Sequence, residues 1–357
     1  MTLKNFSGTN TKNLFFYQGI RGLIFLKKPP LLSRIRVTRS AIMSKLPFII
    51  RNERQFKALT GLPRKIFDTL LQEFEKALKD VSSHRDRKRT KPHRRKPGGG
   101  RKGVLSTPEQ KLFFILFYLK NYPTFDVLGA LFGLSPPKAE ENVNKLLPVL
   151  KKAEQHLRVL PHRHFKPTVP SEQDSENTQK IIIDATERPR CRPHHARQQK
   201  NYYSGKNHRH TLKNTVIADL HRGIPVVGPT VPGRRHDFKL LKDELDPNEP
   251  GLSSVEAWVD LGYQGIESQY PAFHSIHIPH KKPRKSKHHP NPTLTPQQKK
   301  ENRAISQVRV AVEHLIGDMK SFQILAIKFR NRITNMADQV VLVVAGLCNL
   351  KNSYVVQ

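Results

Sequence analysis

Cysteine is nearly absent: the 357 residues hold two, Cys191 and Cys348. Two cysteines build no disulfide framework, which excludes the disulfide-stapled secreted class and favours a reducing interior. Cys191 does open a Cys-x-x-His-His run with His194 and His195. No second cysteine pair stands near it to complete a tetrahedral zinc site. Acidic residues are also scarce, 29 Asp and Glu against 63 Lys and Arg, for a formal net charge of +34. No fold requires that excess. It builds a field that attracts polyanions, and nucleic acid is the usual partner. A ribosomal-type RNA binder and a membrane-surface protein share this composition, so composition alone leaves them open. No apolar run reaches the ~18–20 residues of a membrane span, and no membrane partner is expected.

Residues 1–52 contain no Asp or Glu, and their short apolar patch, Gly22 to Leu26, has no small-residue cleavage site after it. The patch is too short for a signal peptide. A disordered basic arm is expected over 1–46, or an overlong start with the real one near Met43. An organelle presequence is a third reading.

Residues 47–83 form a helical segment on the spacing of Phe56, Leu59, Leu62, Phe67, Leu70, Leu71, Phe74 and Leu78, with Pro63 at a helix start. Residues 84–104 read as a basic, glycine-rich linker. Between His84 and Gly103 one acid stands among ten Lys and Arg, which cannot pack a core and would neutralise phosphates beside DNA without reading sequence.

Residues 105–157 read as three helices, in a domain expected over 105–160. Thr107-Pro-Glu-Gln110 is a capping-box start, Gly133 a natural stop, and Ser135-Pro136 a new start. A short turn between two helices is the helix-turn-helix pattern, which many helical hairpins share. The third helix would be the one offered to a DNA groove, led by Lys138, Glu141, Asn142 and Asn144.

From residue 179 the texture changes to strands. Ile181 to Asp184 and Val255 to Asp260 read as short buried strands that each end in an acid. Thr211 to Asp219, Ile224 to Val231 and Ser275 to His280 are further strands, Asp237 to Leu245 is helical, and long helices cover 296–320 and 334–352. This order gives an α/β layer fold. An unpaired buried carboxylate is costly, and strand ends are where α/β sites are built. The plain alternative for Asp184 and Asp260 is a solvated acid or a local salt bridge.

A third acid stands on the helix around Glu313. At ~100° per residue, Ile305, Val308, Val312, Leu315, Ile316 and Met319 make one apolar stripe, and Ser306, Arg309, Glu313 and Lys320 a polar strip along its edge. An ordinary Arg309–Glu313 surface pair would explain part of that strip, but not Lys320. Three carboxylates on a sheet-plus-helix frame suit two-metal phosphoryl chemistry, with Mg²⁺ or Mn²⁺ as the hard, oxygen-seeking ions.

These residues occur in recognisable settings: Asp184-Ala-Thr-Glu-Arg-Pro189, Tyr203-Ser-Gly-Lys206, Pro232-Gly-Arg-Arg-His-Asp237, Asp260-Leu-Gly-Tyr-Gln-Gly265, and Arg309-x3-Glu313-x6-Lys320. From about residue 105 to 352 the chain resembles a DDE transposase of the Harbinger-like group, the bacterial insertion-sequence family five. In that group a Tyr often stands seven residues before the Glu; here the place is Ser306. The resemblance implies a ribonuclease-H-like catalytic domain over 175–353, preceded by an all-α helix-turn-helix domain. It implies that Asp184, Asp260 and Glu313 bind two divalent cations and catalyse strand cleavage and strand transfer. Arg309 and Lys320 would position Glu313 or touch phosphate. Its implied partners are double-stranded DNA, at the element ends and the target site, and a second copy of the chain at least. The setting would be the bacterial cytoplasm at the nucleoid, or the nucleus of a eukaryote.

The stretch 188–218, which contains no Asp or Glu, gains a meaning from that resemblance. Its Arg188, Arg190, Arg192, Arg197, Lys200, Lys206, Arg209 and Lys213 are expected on a DNA-facing surface. Tyr202 and Tyr203 either stack on a frayed base or pack as plain strand residues. His236 and Asp237 either contribute near the metals or cap the next helix. Two other functions stay open: a domesticated or inactive DNA-binding protein of the same fold, and a basic RNA-binding protein without chemistry.

Overall fold

The computed structural model describes residues 50–87, 103–167, 178–285, 290–333 and 335–356. The expected basic arm (1–46) and residues 88–102 of the expected linker lie outside the described residues.

The helical part begins with α1 (Glu53–Thr60) and α2 (Arg64–Arg87), separated at Gly61 to Pro63. Asn52 caps α1 by accepting from the Gln55 amide. Helix α2 runs past the expected boundary at 83. Then come α3 (Pro108–Asn121), α4 (Phe125–Phe132) and α5 (Pro136–His156). Thr107 and Gln110 form the expected capping box, and Gly133 takes the left-handed conformation (φ 65°) that ends α4. Helix α3 is buried at Gln110 and from Leu112 to Leu119, as a helix at the centre of a bundle must be. Phe56, Phe67, Phe113, Phe117 and Phe132 pack ring against ring around it, with centroids 5.2–6.3 Å apart. The segment 47–83 and the segment 105–160, expected as separate units, therefore form one helical body in which α2 packs on α5 and α1 on α3.

The sheet part has a seven-stranded mixed sheet. Its long central strand β1 (Gln179–Pro189) pairs antiparallel with β3 (Arg209–Asp219), and β2 (Tyr203–Ser204) closes a hairpin onto β3. On its other side β1 runs parallel to β6 (Val255–Trp258), which runs parallel to β7 (Ser275–His277). The expected strand 224–231 is reduced to β4 (Val226–Val227) and β5 (Val231–Pro232), both on β3. Helix α6 (Ala196–Tyr202) precedes β2, α7 (Asp237–Glu244) follows β5, and the short α8 (Ile266–Gln269) follows β6. The chain ends in α9 (Pro296–Lys320), α10 (Gln323–Ala326) and α11 (Met336–Lys351).

Asp184 does not end its strand; β1 continues five residues beyond it, paired to β3 as far as Pro189 with Thr211. The apolar run Ile181 to Ile183 marks only the stretch buried on both faces. The continuation, Ala185 to Pro189, mixes small, polar and charged residues and carries no such signal.

The helical body and the sheet share an interface. Tyr122 stacks on Phe329 at 6.1 Å, Arg330 donates to the Tyr122 and Pro123 carbonyls, and Lys120 donates to the Ser321 carbonyl at 2.6 Å. Asn349 of α11, fully buried, donates to the carbonyls of Val159 and Ile224. Among the described residues no helix is long and apolar enough to cross a membrane.

Candidate active site

The register of two parallel strands brings the first two acids together. Ile182 of β1 pairs with Trp258 of β6. Asp184 lies two residues beyond the first, and Asp260 two residues beyond the second. Because side chains alternate with period two, the two acids leave adjacent strands at the same level. Between Ile182 and the bridge of Arg190 to Phe329, no strand among the described residues pairs with β1 on the β6 side, and that edge opens into a cleft.

Helix α9 crosses this opening. Its stripe is as expected: Ile305, Val312, Leu315 and Met319 are buried, and Val308 and Ile316 half-buried. Arg309, on the polar strip, points its guanidinium between the acids, with Nη2 3.7 Å from Asp184 Oδ2 and Nη1 3.4 Å from Asp260 Oδ1. These are ion-pair distances rather than close hydrogen bonds. The Arg309 side chain is 12% exposed, and its Nε is buried without a hydrogen-bond partner. Burial raises the Asp184 carboxyl above the ordinary carboxylate range, and the nearby charges of Asp260 and Asp237 add to that. The Ala185 amide, which donates to Oδ1 at 2.7 Å, and Arg309 pull the other way.

Glu313 is one turn beyond Arg309 and exposed. Among the described residues no ion pair joins it to Arg309, and no three carboxylate, imidazole or thiol groups stand close enough together to cage a metal. The chemistry of the donors does fit a divalent cation. Asp184 and Asp260 offer hard carboxylate oxygens, and both face one cation held only at ion-pair distance. Cys191, His194 and His195 form no metal-binding group among the described residues.

Beside the acids lies a cleft of about 350 Å³, with Ala185, Glu187, Arg209, Asp237 and Lys320 in its walls and Lys206 at its mouth. Lys206 and Arg209 are exposed. Burial lowers the Lys320 ammonium below its ordinary value, while Asp184 and Glu187 nearby hold it up. Lys213, expected on the DNA-facing surface, points inward instead. It is buried, with Nζ 2.7 Å from Asp237 Oδ1 and 3.2 Å from Glu187 Oε1. Arg188, also expected outside, is 1% exposed and donates to Asn214, Thr230 and the Ala337 carbonyl. A charge that lies inside the sheet cannot meet a phosphate. His236 stands at the N-cap position of α7, exposed and making no side-chain cap bond.

Glu187 was not singled out from the sequence. It accepts from Asn207 and Thr211, each at 2.8 Å. Burial pushes its carboxyl up, but these bonds and Lys213 outweigh that and hold it low. Its one signal is its place three residues after Asp184. Tyr263 was missed as well: fully buried, its hydroxyl without a partner, it lies among Asp237, Asp184, Glu244 and Asp260 and is raised well above the ordinary phenol range, by burial first.

In the helical body, the start of α5 is exposed from Ser135 to Lys138. Lys138 and Lys145 both pair with Glu141. Asn142 donates to the Lys138 carbonyl at 2.7 Å, and Asn144 has its Oδ1 buried without a partner. Lys138 and Asn142 remain on the surface; Asn144 turns partly inward.

Sequence comparison matches residues 183–349 to the family described as DDE superfamily endonuclease, a span that contains Asp184, Asp260 and Glu313. Over these residues the chain is similar to this superfamily. Residues 104–153, which hold α3, α4 and nearly all of α5, match its companion, the helix-turn-helix of DDE superfamily endonuclease. The mixed sheet following that helical region agrees with a ribonuclease-H-like DDE domain. The chain is 29% identical over 280 residues to a Microchaete diplosiphon protein named "Probable transposase for insertion sequence element IS702", covering 78% of this chain and 88% of that one. It is 28% identical over 219 residues to a Streptomyces albus G protein named for the transposase of insertion sequence element IS112, covering 61% and 70%. No solved structure matches.

Proposed function

We propose that the protein is a transposase that binds the ends of its own element, cuts a DNA strand there and joins the freed 3′-hydroxyl to target DNA. The observation that supports it most is Arg309, which reaches both Asp184 and Asp260 and so ties the helix that carries Glu313 to the two strand acids. Asp184, Asp260 and Glu313 would hold two divalent cations, Mg²⁺ or Mn²⁺. When bound, such ions supply the charge that activates an attacking oxygen and stabilises a leaving one.

The chain's own groups do the rest. Arg309 keeps two like-charged carboxylates side by side in the absence of a stronger cation. Lys320, Arg209 and Lys206 line the cleft and bind the strand by its phosphates, which fixes its position without reading its sequence. Lys213 holds Asp237 and Glu187 in the wall. The exposed start of α5, with Lys138 and Asn142, enters a major groove at the element end. Two ends must be brought together for transfer, so the working form is a dimer or larger on DNA.

Strand cleavage and transfer with a labelled element-end duplex test this reading. Wild type is expected to nick the duplex at the element boundary in Mg²⁺, and Asp184→Ala and Glu313→Ala to bind it but leave it intact. A wild type that binds ends and never cuts, or variants that cut equally well, would replace the enzyme with a DNA-binding protein of the same fold.

A further inference from the structure

A second cavity lies away from the acids. It is open, encloses about 680 Å³, and is lined by Arg192, Lys200, Tyr203, His210 and Arg234. That volume is within the ~300–1,000 Å³ typical of ligand-sized sites. Among the described residues no acid lines it. Among the described residues no ion pair engages Lys200 or Arg234.

The two tyrosines divide their roles here. Tyr202 is covered by Arg190, whose guanidinium carbon sits 3.9 Å from the ring centroid. Tyr203 is 43% exposed, with His210 against its ring in an edge contact at 5.7 Å. The wall is built rather than loose. Arg192 grips Gln199 Oε1 through two nitrogens, and Gln199 donates in turn to the Pro193 and His194 carbonyls. The Arg234 amide is bonded to the Asn201 carbonyl at 3.3 Å. An exposed aromatic ring held among cations is the arrangement that takes a base by stacking and its phosphate by charge.

Position links this cavity to the cleft. The hairpin that ends in β2 and β3 separates them: Gly205 and His210 line the cavity, Lys206 and Arg209 the cleft. His210 is six residues along β3 from Val216, the partner of Asp184. At ~3.4 Å per residue that is about 20 Å, or about six steps of duplex DNA.

We infer that this cavity binds one unpaired nucleotide of the same DNA strand, within about six positions of the cut. Its base stacks on Tyr203, and its phosphate is held by Arg192, Lys200 and Arg234. The inference rests on the proposed DNA-end binding; it adds a site where the duplex is opened and a strand is gripped beyond the cleft.

The test is photocrosslinking with 5-iodouracil placed singly at each position around the cut, on the full-length protein bound to element-end duplex, with binding followed in parallel by fluorescence anisotropy. The expected result is a crosslink mapped to Tyr203 from one position or two adjacent ones. It should disappear in Tyr203→Ala while anisotropy still reports bound DNA. In Arg234→Ala the crosslink yield should fall severalfold, and the slope of log affinity against log salt should become shallower by about 1. Crosslinks spread evenly over the duplex, or bound DNA with no crosslink at Tyr203, would overturn the inference and leave the transposase reading standing. A wild type that fails to bind the duplex at all would overturn that reading, and the nucleotide site with it.

Discussion

Lys213 Nζ sits 2.7 Å from Asp237 Oδ1 inside the wall of the acid-lined cleft. Glu187 completes the group at 3.2 Å. The pair links the middle of β3 to the first turn of α7 and sets the ground on which the Asp260 loop rests: a Cβ built on Gly262 would lie 3.3 Å from Asp237 Oδ2.

Lys213→Met leaves two carboxylates without their cation. Breaking a buried pair from one side costs about 3 kcal/mol, so a drop of that size is expected in urea unfolding. The salt slope of DNA binding should not move, because Lys213 is buried and its ammonium is already paired with Asp237 and Glu187. Arg209→Ala should do the reverse: little loss of stability, and a slope shallower by about 1. Equal slope changes in both variants would put Lys213 on the DNA after all.

The helix-turn-helix has its own weak point at Gly129. A Cβ there would stand 2.5 Å from the Leu134 carbonyl oxygen, which is backbone and cannot swing away. Gly129→Ala must push the turn off α4, at about 1–3 kcal/mol by the usual cost of overpacking. Thermal unfolding should report the loss, and discrimination between element-end and random duplex should fall with it. Unchanged stability and discrimination would mean that the turn is looser than the structure has it.

Glu244 gives a pH signature. Burial pushes its carboxyl up to about 7. The unfolded chain releases that proton near the ordinary 4.5, so between the two values the folded state binds more protons. Stability should therefore fall as pH rises through that window, by on the order of 3 kcal/mol. Glu244→Gln should remove this part of the slope and be the more stable protein at pH 8. Parallel wild-type and variant curves between pH 5 and 8 would show that Glu244 titrates normally.

Much of this molecule is readable from its residues, for physical reasons that differ by element. The capping box at Thr107, the glycine stop at 133 and the proline starts at 108 and 136 are local chemistry, and their helices begin and end where that chemistry says. The α9 stripe is periodicity, and the polar strip along its edge carries Arg309 and Lys320, which the fold sets at the acids and the cleft. Strand extent was less legible: β1 continues past Asp184 on pairing with β3, a long-range contact that no local pattern carries. Charge was read too simply. A run of basic residues predicts a surface, yet Arg188 and Lys213 turn inward because strand alternation sends some members of any run into the sheet. Glu187 was hidden for the same reason, as one acid near many bases whose role depends on who reaches it across two strands.

The central claim is that Glu313 joins Asp184 and Asp260 at one metal centre, and a metal-switch measurement on Glu313→Cys tests it most directly. A thiolate is a poor ligand for Mg²⁺ and a better one for softer Mn²⁺. The three-acid centre predicts that this variant nicks element-end DNA in Mn²⁺ and not in Mg²⁺, while wild type works in both and Glu313→Ala in neither. A Glu313→Cys protein that cuts as well as wild type in Mg²⁺ would remove Glu313 from the centre and contradict the claim.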